Sequence, residues 1–385
     1  MIRNESLPPM GRAARKLVCL LGLPIDVVEM STAVAKVRHA ARTGQRCFIS
    51  TPNLNFLMAA QQDPAFRESV LRSDLSLADG VSLLALARLM GVRLPERVSG
   101  ADLFLELCAS QEHPPLKVFF LGGPPGAAKL AAEKVNRDAP GVRCVGYDEA
   151  GFGDVESISG QDLIDRINAA GADFVVVSLG AKKGQAWIMK NQMRLTAPVI
   201  SHLGAVVNFT AGTVRRAPKL MQRMSLEWLW RAMTEPGLSK RYWDDGRALL
   251  ATVFRHAVRA AAQERWFKRH AQAPASIVRD ESRADGSRTL ALSGHWGQAQ
   301  SSELLKVLMS TDSLSIDIDL RHATWLDLYA LGALTGHHGQ LMARGGQGVR
   351  LFGARPELAR QLRREGVDYL FDPQEELQLK RQTCP

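Results

Sequence analysis

The sequence lacks any uninterrupted apolar stretch long enough for a membrane-spanning helix, so it predicts no transmembrane segment. Basic residues near the start precede only a short apolar patch, which stops at Pro24. We interpret this patch as a first β-strand rather than a signal peptide. The high apolar fraction, 46%, with 23% charged residues is typical of a globular protein with a buried core.

Cysteine is also scarce, with five residues scattered along 385 positions and no Cys-x-x-Cys pair. Neither a zinc site nor a disulfide framework is therefore indicated, and a reducing cytoplasm fits best. A Gly-x-Gly-x-x-Gly motif after the first strand is missing as well. That absence argues against a nicotinamide-dependent dehydrogenase.

Positive charge is present in excess, and it is concentrated in one region. The net charge is +10, and residues 211–270 alone contain 13 Lys and Arg against five Asp and Glu. Tryptophans are interleaved with these cations, and no nucleic-acid-binding motif accompanies them, so we expect no nucleic-acid partner. The mixture suits an anionic membrane surface, which predicts docking through residues 215–270. A cationic, solvated helix packed on the core remains the alternative.

Short apolar runs alternate with helical patterns over the first 210 residues. This order predicts an α/β fold, a doubly wound, mostly parallel sheet of the Rossmann-like kind. One long helix is expected from Asn55 to Arg72. A linker at Gln272–Ser276 precedes a second, smaller α/β pattern. We therefore predict a first domain over 1–245, a basic helix and linker over 246–275, and a second domain over 276–385.

Polar residues follow the strands where a parallel sheet would place its ligand crevice. Thr51, Asn53 and Asn55 follow the strand that begins at Cys47, and Asp79 follows the strand at Leu75. The carboxyl ends of parallel strands meet at one edge, so these side chains are expected to lie together. A glycine-rich turn, Gly122–Gly126, then leads into a helix that either binds phosphate or simply connects two elements.

These motifs together resemble those of the WecG/TagA/CpsF glycosyltransferase family, over about Gly22 to Tyr242. The carriers are Thr51-x-Asn53-x-Asn55, Asp79-Gly80, Glu96-Arg97-Val98-x-Gly100-x-Asp102, Phe120-Leu121-Gly122-Gly123, Gly204 with Gly212-Thr213, Arg216-Ala217-Pro218, Leu226-Glu227-Trp228 and Glu235-Pro236. The resemblance implies transfer of a hexose, often of the N-acetylmannosamine type, from a UDP-sugar to a polyprenyl-pyrophosphate-linked acceptor at the inner membrane face. It also implies inversion at the anomeric carbon, with no metal and no cofactor besides the UDP-sugar substrate.

An inverting transfer needs a base for the acceptor hydroxyl, groups that hold the sugar, and a cation for the departing UDP. We assign Asp79 as the base, Thr51 and Asn53 as sugar-holding residues, and Arg97 as the diphosphate partner. Taken singly, Asp79 could be a turn aspartate and Arg97 could form a surface ion pair. The remaining predicted substrate-binding residues are Asn55, Gly100, Asp102, Gly122, Gly123, Gly180, Gln185, Gly204 and Arg216.

One segment departs from the family. Where the family has Gly-x-Pro-x-Gln-Glu-x-Trp, this chain has Gly180-Ala181-Lys182-Lys183-Gly184-Gln185-Ala186-Trp187. The Gln side chain expected at position 184 is lost, and with it a substrate contact. The added lysines could contact phosphate or face water. The family also tends to an acidic residue where Asn208 stands.

The C-terminal pattern resembles a STAS domain, through the strand Leu314–Leu320 and the segment Trp325–Leu334. The regulatory form of that segment carries a phosphorylatable serine, but Leu328 and Tyr329 stand there in this chain. A partner-binding or scaffolding role therefore remains for this domain. The Asp317-Ile318-Asp319 triplet resembles a metal motif, but we interpret it as structural because it lies in the second domain.

The sequence thus predicts a membrane-associated hexosyltransferase, cytoplasmic and peripheral, in exopolysaccharide or surface-glycan synthesis. The alternative is a catalytically weakened transferase that serves as a sensor or scaffold, with a protein partner bound by its STAS-like domain.

Overall fold

The computed structural model describes residues 15–149, 151, 153–213, 230, 274–283 and 286–372. The first part is built on a sheet of six parallel strands with a separate hairpin before it. The strands are β1 (Leu17–Leu20), β2 (Leu23–Asp26), β3 (Cys47–Ser50), β4 (Leu75–Ser76), β5 (Leu116–Gly122), β6 (Val142–Asp148), β7 (Phe174–Ser178) and β8 (Val199–His202). The order in the sheet is β4-β3-β8-β7-β5-β6.

Helices cover both faces of this sheet, which confirms the predicted doubly wound α/β fold. They are α1 (Met30–Thr43), α2 (Leu54–Gln62), α3 (Pro64–Leu71), α4 (Val81–Leu89), α5 (Gly100–Ala109), α6 (Ala127–Asp138), α7 (Gln161–Ala169), α8 (Ala181–Asn191) and α9 (Val206–Ala211). One core packs α1, α5, α6 and α9 against the sheet, and the other packs α7 and α8 against the opposite face. The polar strand ends are thereby left at the carboxyl edge.

The single helix expected from Asn55 to Arg72 is wrong, because the structure has two helices there. Asp63 is extended, with φ −130° and ψ 100°, as a residue before proline prefers. Its Oδ1 accepts a hydrogen bond from the Phe66 amide at 3.1 Å and so caps α3. Pro64 occupies the first turn of α3, where its missing N–H costs nothing.

The apolar patch near the start does form a strand, but outside the six-stranded sheet. β1 pairs antiparallel with β2. Asp26 at the end of β2 accepts hydrogen bonds from Arg15 Nη2 at 2.6 Å and from the Ser76 amide at 2.7 Å. This buried ion pair fixes the hairpin beside β4.

The second part is a smaller α/β unit, as predicted, but it has four strands where the sequence predicted three. Its elements are β9 (Ser276–Ser282), β10 (Arg288–Trp296), α10 (Gln298–Met309), β11 (Ser315–Leu326), α11 (Leu328–Ala343), β12 (Gly348–Phe352) and α12 (Pro356–Arg364). The sheet order is β12-β11-β10-β9, with β9 antiparallel to β10 and the other pairs parallel. The sequence missed β9 because nearly all its side chains are exposed and carry no apolar signal.

The two parts pack together through α11 and the hairpin. A Cβ on Gly332 would lie 2.6 Å from the Leu17 carbonyl carbon, and one on Gly339 would lie 1.8 Å from the Leu71 carbonyl oxygen. Tyr369 Oη donates to the Gly22 carbonyl at 2.9 Å. The hairpin, α2–α4 and the C-terminal elements share one hydrophobic core. None of the described helices is long and apolar enough to cross a membrane.

Candidate active site

Three segments that carry predicted site residues are joined by main-chain hydrogen bonds at the carboxyl edge of the sheet. The Asp79 amide donates to the Pro52 carbonyl at 2.8 Å, and the Val98 amide donates to the Ala78 carbonyl at 2.9 Å. β3 and β4 are neighbours in the sheet. The structure therefore brings the segments around Thr51, Asp79 and Arg97 together, as the sequence predicts.

Thr51, the residue after β3, is almost fully buried, with 6% of its surface exposed. A Cβ on Gly100 would meet Thr51 Cγ2 at 3.2 Å and Leu203 Cδ2 at 2.5 Å. Glycine at 100 therefore lets the first turn of α5 approach the ends of β3 and β8. Gly100 has a packing function here, and its predicted contact with substrate stays a prediction.

Asn53 and Asp79 both stand immediately before helices. Asn53 Oδ1 accepts a hydrogen bond from the Phe56 amide at 3.2 Å and caps α2, while Asn55 is half-buried in the first turn. The half-buried Asp79 precedes Gly80, whose φ of +113° suits only glycine at the start of α4. The capping function engages one end of the Asn53 amide, which leaves its Nδ2 group for the predicted sugar contact.

Arg97 and Asp102 form an ion pair, with Arg97 Nη2 2.5 Å from Asp102 Oδ2. Ser99 Oγ donates to the same carboxylate at 2.6 Å and accepts from the Asp102 amide at 3.1 Å, which caps α5. Both charged side chains are about a quarter exposed. Asp102 thus holds the guanidinium, and the predicted contact of Arg97 with a diphosphate stays a prediction.

The glycine-rich turn after β5 uses its amides within the chain. The Gly123 amide donates to the Ser178 carbonyl at 2.9 Å, and the Gly126 amide donates to Glu149 Oε1 at 2.6 Å. A Cβ on Gly122, φ +92°, would lie 2.7 Å from the Ser178 carbonyl oxygen. These contacts favour the connecting function over phosphate binding, because a carboxylate already occupies the start of α6.

The unusual segment from Gly180 to Trp187 forms the start of α8. Gln185 is fully buried, and its Nε2 donates to Ser50 Oγ at 2.9 Å. This amide holds α8 against β3 from inside the fold rather than lining the surface of the crevice. Lys182 is exposed and pairs with Asp63 at 3.2 Å. Gly180 precedes α8 with φ +83°.

Sequence reasoning missed His202, the last residue of β8. The imidazole is 6% exposed and lies against Gly184 and Gly204, two positions that the sequence did single out. Burial lowers the pKa of His202 to about 4, so the ring is neutral near pH 7. A histidine that ends a strand at the ligand edge was the available signal.

Arg216 and almost all of the basic segment 215–270 lie outside the described residues. The aspartates of the triplet on β11 pair with arginines: Asp317 Oδ1 accepts from Arg350 Nε at 2.8 Å, and Asp319 Oδ2 accepts from Arg321 Nη2 at 2.5 Å. Within the described ranges no group of three or more His, Cys, Asp and Glu side chains is placed to hold a metal. Both aspartates of the triplet are thus engaged in ion pairs, and their structural interpretation stays a prediction.

Polar side chains gathered at the carboxyl ends of parallel strands are typical of the ligand site of an α/β enzyme. Residues 18–263 match the model of the "Glycosyl transferase WecG/TagA/CpsF family", and this is well over half of the chain. The chain therefore belongs to the WecG/TagA/CpsF family and is a glycosyltransferase.

Two curated relatives are each similar to about half of the chain. One, from Bacillus spizizenii, is 30% identical over 194 residues, which cover 50% of this chain and 74% of the relative. The other, from Bacillus subtilis, is 28% identical over 193 residues, which cover 50% and 73%. Both are named N-acetylglucosaminyldiphosphoundecaprenol N-acetyl-beta-D-mannosaminyltransferase.

Proposed function

We propose that the protein transfers an N-acetylmannosamine-type hexose from a UDP-sugar to a polyprenyl-diphosphate-linked acceptor, with inversion and without a metal ion. The reaction serves exopolysaccharide or surface-glycan synthesis at the cytoplasmic face of the membrane. The proposal rests mainly on one observation: main-chain hydrogen bonds join the segments that contain Thr51, Asp79 and Arg97 at one edge of the sheet. The names of the two Bacillus relatives supply the sugar and the lipid-linked acceptor to test first.

In this reaction the acceptor hydroxyl oxygen attacks the anomeric carbon from the face opposite the UDP. The Asp79 carboxylate takes the hydroxyl proton as the new C–O bond forms. The bond from the anomeric carbon to the diphosphate oxygen breaks, and UDP leaves with the electron pair. Arg97, held by Asp102, stabilises the negative charge that develops on the diphosphate. Thr51 and the Asn53 amide hold the sugar.

The test of the base is Asp79→Asn, measured with a panel of UDP-hexoses and a polyprenyl-diphosphate-linked N-acetylglucosamine. An amide cannot accept the hydroxyl proton, so we expect turnover to fall by about 10²–10⁴-fold while the thermal unfolding midpoint changes little. Asp162→Asn, at an exposed aspartate in the first turn of α7, is the matched control and should retain wild-type turnover. Near wild-type turnover of Asp79→Asn with both substrates saturating would contradict the assignment.

The same assay separates the enzyme from a scaffold. If the wild-type protein neither transfers nor binds any UDP-hexose, the alternative of a weakened transferase is favoured. That alternative relied on partner binding by the STAS-like unit, but 11 of the 16 residues of α11 are buried, and this helix packs against β1. A protein partner would therefore have to bind this unit elsewhere than on α11.

A further inference from the structure

His202 is enclosed by two glycines at the carboxyl end of β8. A Cβ on Gly184 would lie 2.2 Å from His202 Cδ2, so any other residue there collides with the ring. Gly184 lies inside α8, where glycine costs on the order of 1 kcal/mol relative to alanine. The lack of a side chain at position 184 makes room for the imidazole, so positions 184 and 202 form a matched pair.

Neither ring nitrogen of His202 has a hydrogen-bond partner among the described residues. A buried polar group without a partner costs about 1–3 kcal/mol, and an apolar side chain would fill the same volume without that cost. The ring nitrogens of His337 on α11 are also buried without a partner, so burial alone does not identify a ligand. His202 differs because it ends a strand at the carboxyl edge of the sheet, where a ligand can supply the partner that the folded chain lacks.

Gly204 adds no side chain over the buried ring. A Cβ at this position would lie 3.1 Å from His202 Nε2. Among the described residues, only the ring and the chain neighbours 203 and 205 have atoms within 4 Å of that Cβ position. A side chain at position 204 would therefore pack directly against Nε2, where a ligand would have to bind. β8 pairs parallel with β3, with Ser201 opposite Ile49, so His202 and Thr51 both lie at the carboxyl edge of the sheet.

We propose that His202 is a specificity-determining residue that hydrogen-bonds the hexose of the donor, in place of the side chain that position 184 lacks. This inference rests on the proposed function. The low pKa keeps the imidazole neutral, so it offers one donor and one acceptor, which suits the hydroxyl and acetamido groups of an N-acetylated sugar rather than the diphosphate.

The first experiment compares His202→Leu with His202→Gln, because leucine fills the volume without a polar atom while glutamine can restore a hydrogen bond. We expect His202→Leu to remain folded, to raise KM for the UDP-hexose by about 5- to 30-fold, and to leave the inhibition constant of free UDP unchanged. His202→Gln should recover part of the loss. His337→Leu, at a buried histidine of α11, is the control and should leave KM unchanged.

The second experiment tests the pair without reference to activity. Gly184→Gln alone should lower the unfolding midpoint by several degrees because its Cβ meets the ring, whereas Gly184→Gln combined with His202→Gly should restore it. If the effects of Gly184→Gln and His202→Gly on the unfolding midpoint simply add, the two positions do not form a matched pair. Unchanged KM in His202→Leu, or equal weakening of UDP and UDP-hexose, would overturn the sugar contact. A wild-type protein that binds no UDP-hexose would instead overturn the proposed function together with the sugar contact. The unfolding midpoints of the single and double variants at positions 184 and 202 would still test whether the two residues form a matched pair.

Discussion

At the scale of single residues, Asp102 and Ser99 orient the Arg97 side chain before any substrate binds. Arg97 Nη2 donates a hydrogen bond to the Asp102 carboxylate, and Ser99 both donates to that carboxylate and caps the helix that carries it. A charged group that is already oriented needs no rearrangement as negative charge develops on a leaving group. The sequence left open whether Arg97 forms an ion pair or contacts the diphosphate. The two functions are compatible, because the ion pair with Asp102 orients the guanidinium for the predicted diphosphate contact.

We expect Arg97→Gln to reduce turnover by about 10²-fold, because the developing charge on the diphosphate loses its cation. EDTA should leave the wild-type rate unchanged if this cation, rather than a bound metal, stabilises the leaving group. Arg137→Gln, at an exposed arginine of α6 that pairs with Asp138, is the matched control. Activity that EDTA abolishes and magnesium or manganese restores would contradict the metal-independent assignment.

At the scale of elements, α11 contacts the first part of the chain through glycines on one side. Gly332 and Gly336 lie against Leu17, and Gly339 lies against the main chain of Leu71. These glycines lower the helix propensity of α11. In return they let the backbone of α11 approach the backbones of the hairpin and of α3 closely. The helix therefore depends on the hairpin and on α3 for its packing.

Gly339→Ala is expected to destabilise the protein by about 1–3 kcal/mol, because the added methyl collides with the main-chain carbonyl of Leu71. Urea unfolding at constant buffer and temperature measures the change. Gly160→Ala is the matched control, since no atom of the described residues other than its chain neighbours lies within 4 Å of a Cβ there, and its φ of −57° suits alanine. A loss at position 339 no larger than at 160 would show that the close approach carries no stability.

Local patterns in the sequence predicted most strands, because buried parallel strands have continuous apolar runs such as Phe174–Ser178. They also placed Thr51, Asp79 and Arg97 at one edge, since parallel strands bring their carboxyl ends together. The docking of α11 was not predictable, because a glycine carries no sign of the distant main chain it touches. His202 was missed for the same reason: its significance depends on Gly184, a helix residue 18 positions earlier.

At the scale of the whole molecule, the C-terminal unit and the hairpin complete each other's core. β1 and α11 bury apolar residues of both parts in one cluster. Removal of the C-terminal unit would expose Val18, Leu20 and the neighbouring apolar side chains of the first part to water. The unit is therefore part of the structural support for the transferase sheet.

The basic segment 215–270 suggests how a lipid-linked acceptor reaches the crevice. The described chain reaches Thr213 just after α9, and α9 begins four residues beyond His202 at the crevice edge. The following sixty residues carry most of the net positive charge, with tryptophans among them. We infer that this segment docks on anionic bilayer beside the active-site edge, where each cation contributes on the order of 1 kcal/mol and is screened beyond about 10 Å.

Co-sedimentation with anionic and zwitterionic liposomes at low and high salt tests this inference. Wild-type protein should bind anionic vesicles and dissociate at high salt, and replacing five cations of the segment by glutamine should abolish binding. The five are Arg255, Arg259, Arg265, Lys268 and Arg269. The matched control removes five exposed arginines elsewhere, so that net charge falls equally: Arg137, Arg166, Arg279, Arg321 and Arg360. If both sets weaken binding equally, attraction depends on net charge alone. If neither set nor lipid charge matters, the segment does not dock, and the lipid-linked acceptor must reach the crevice by another surface.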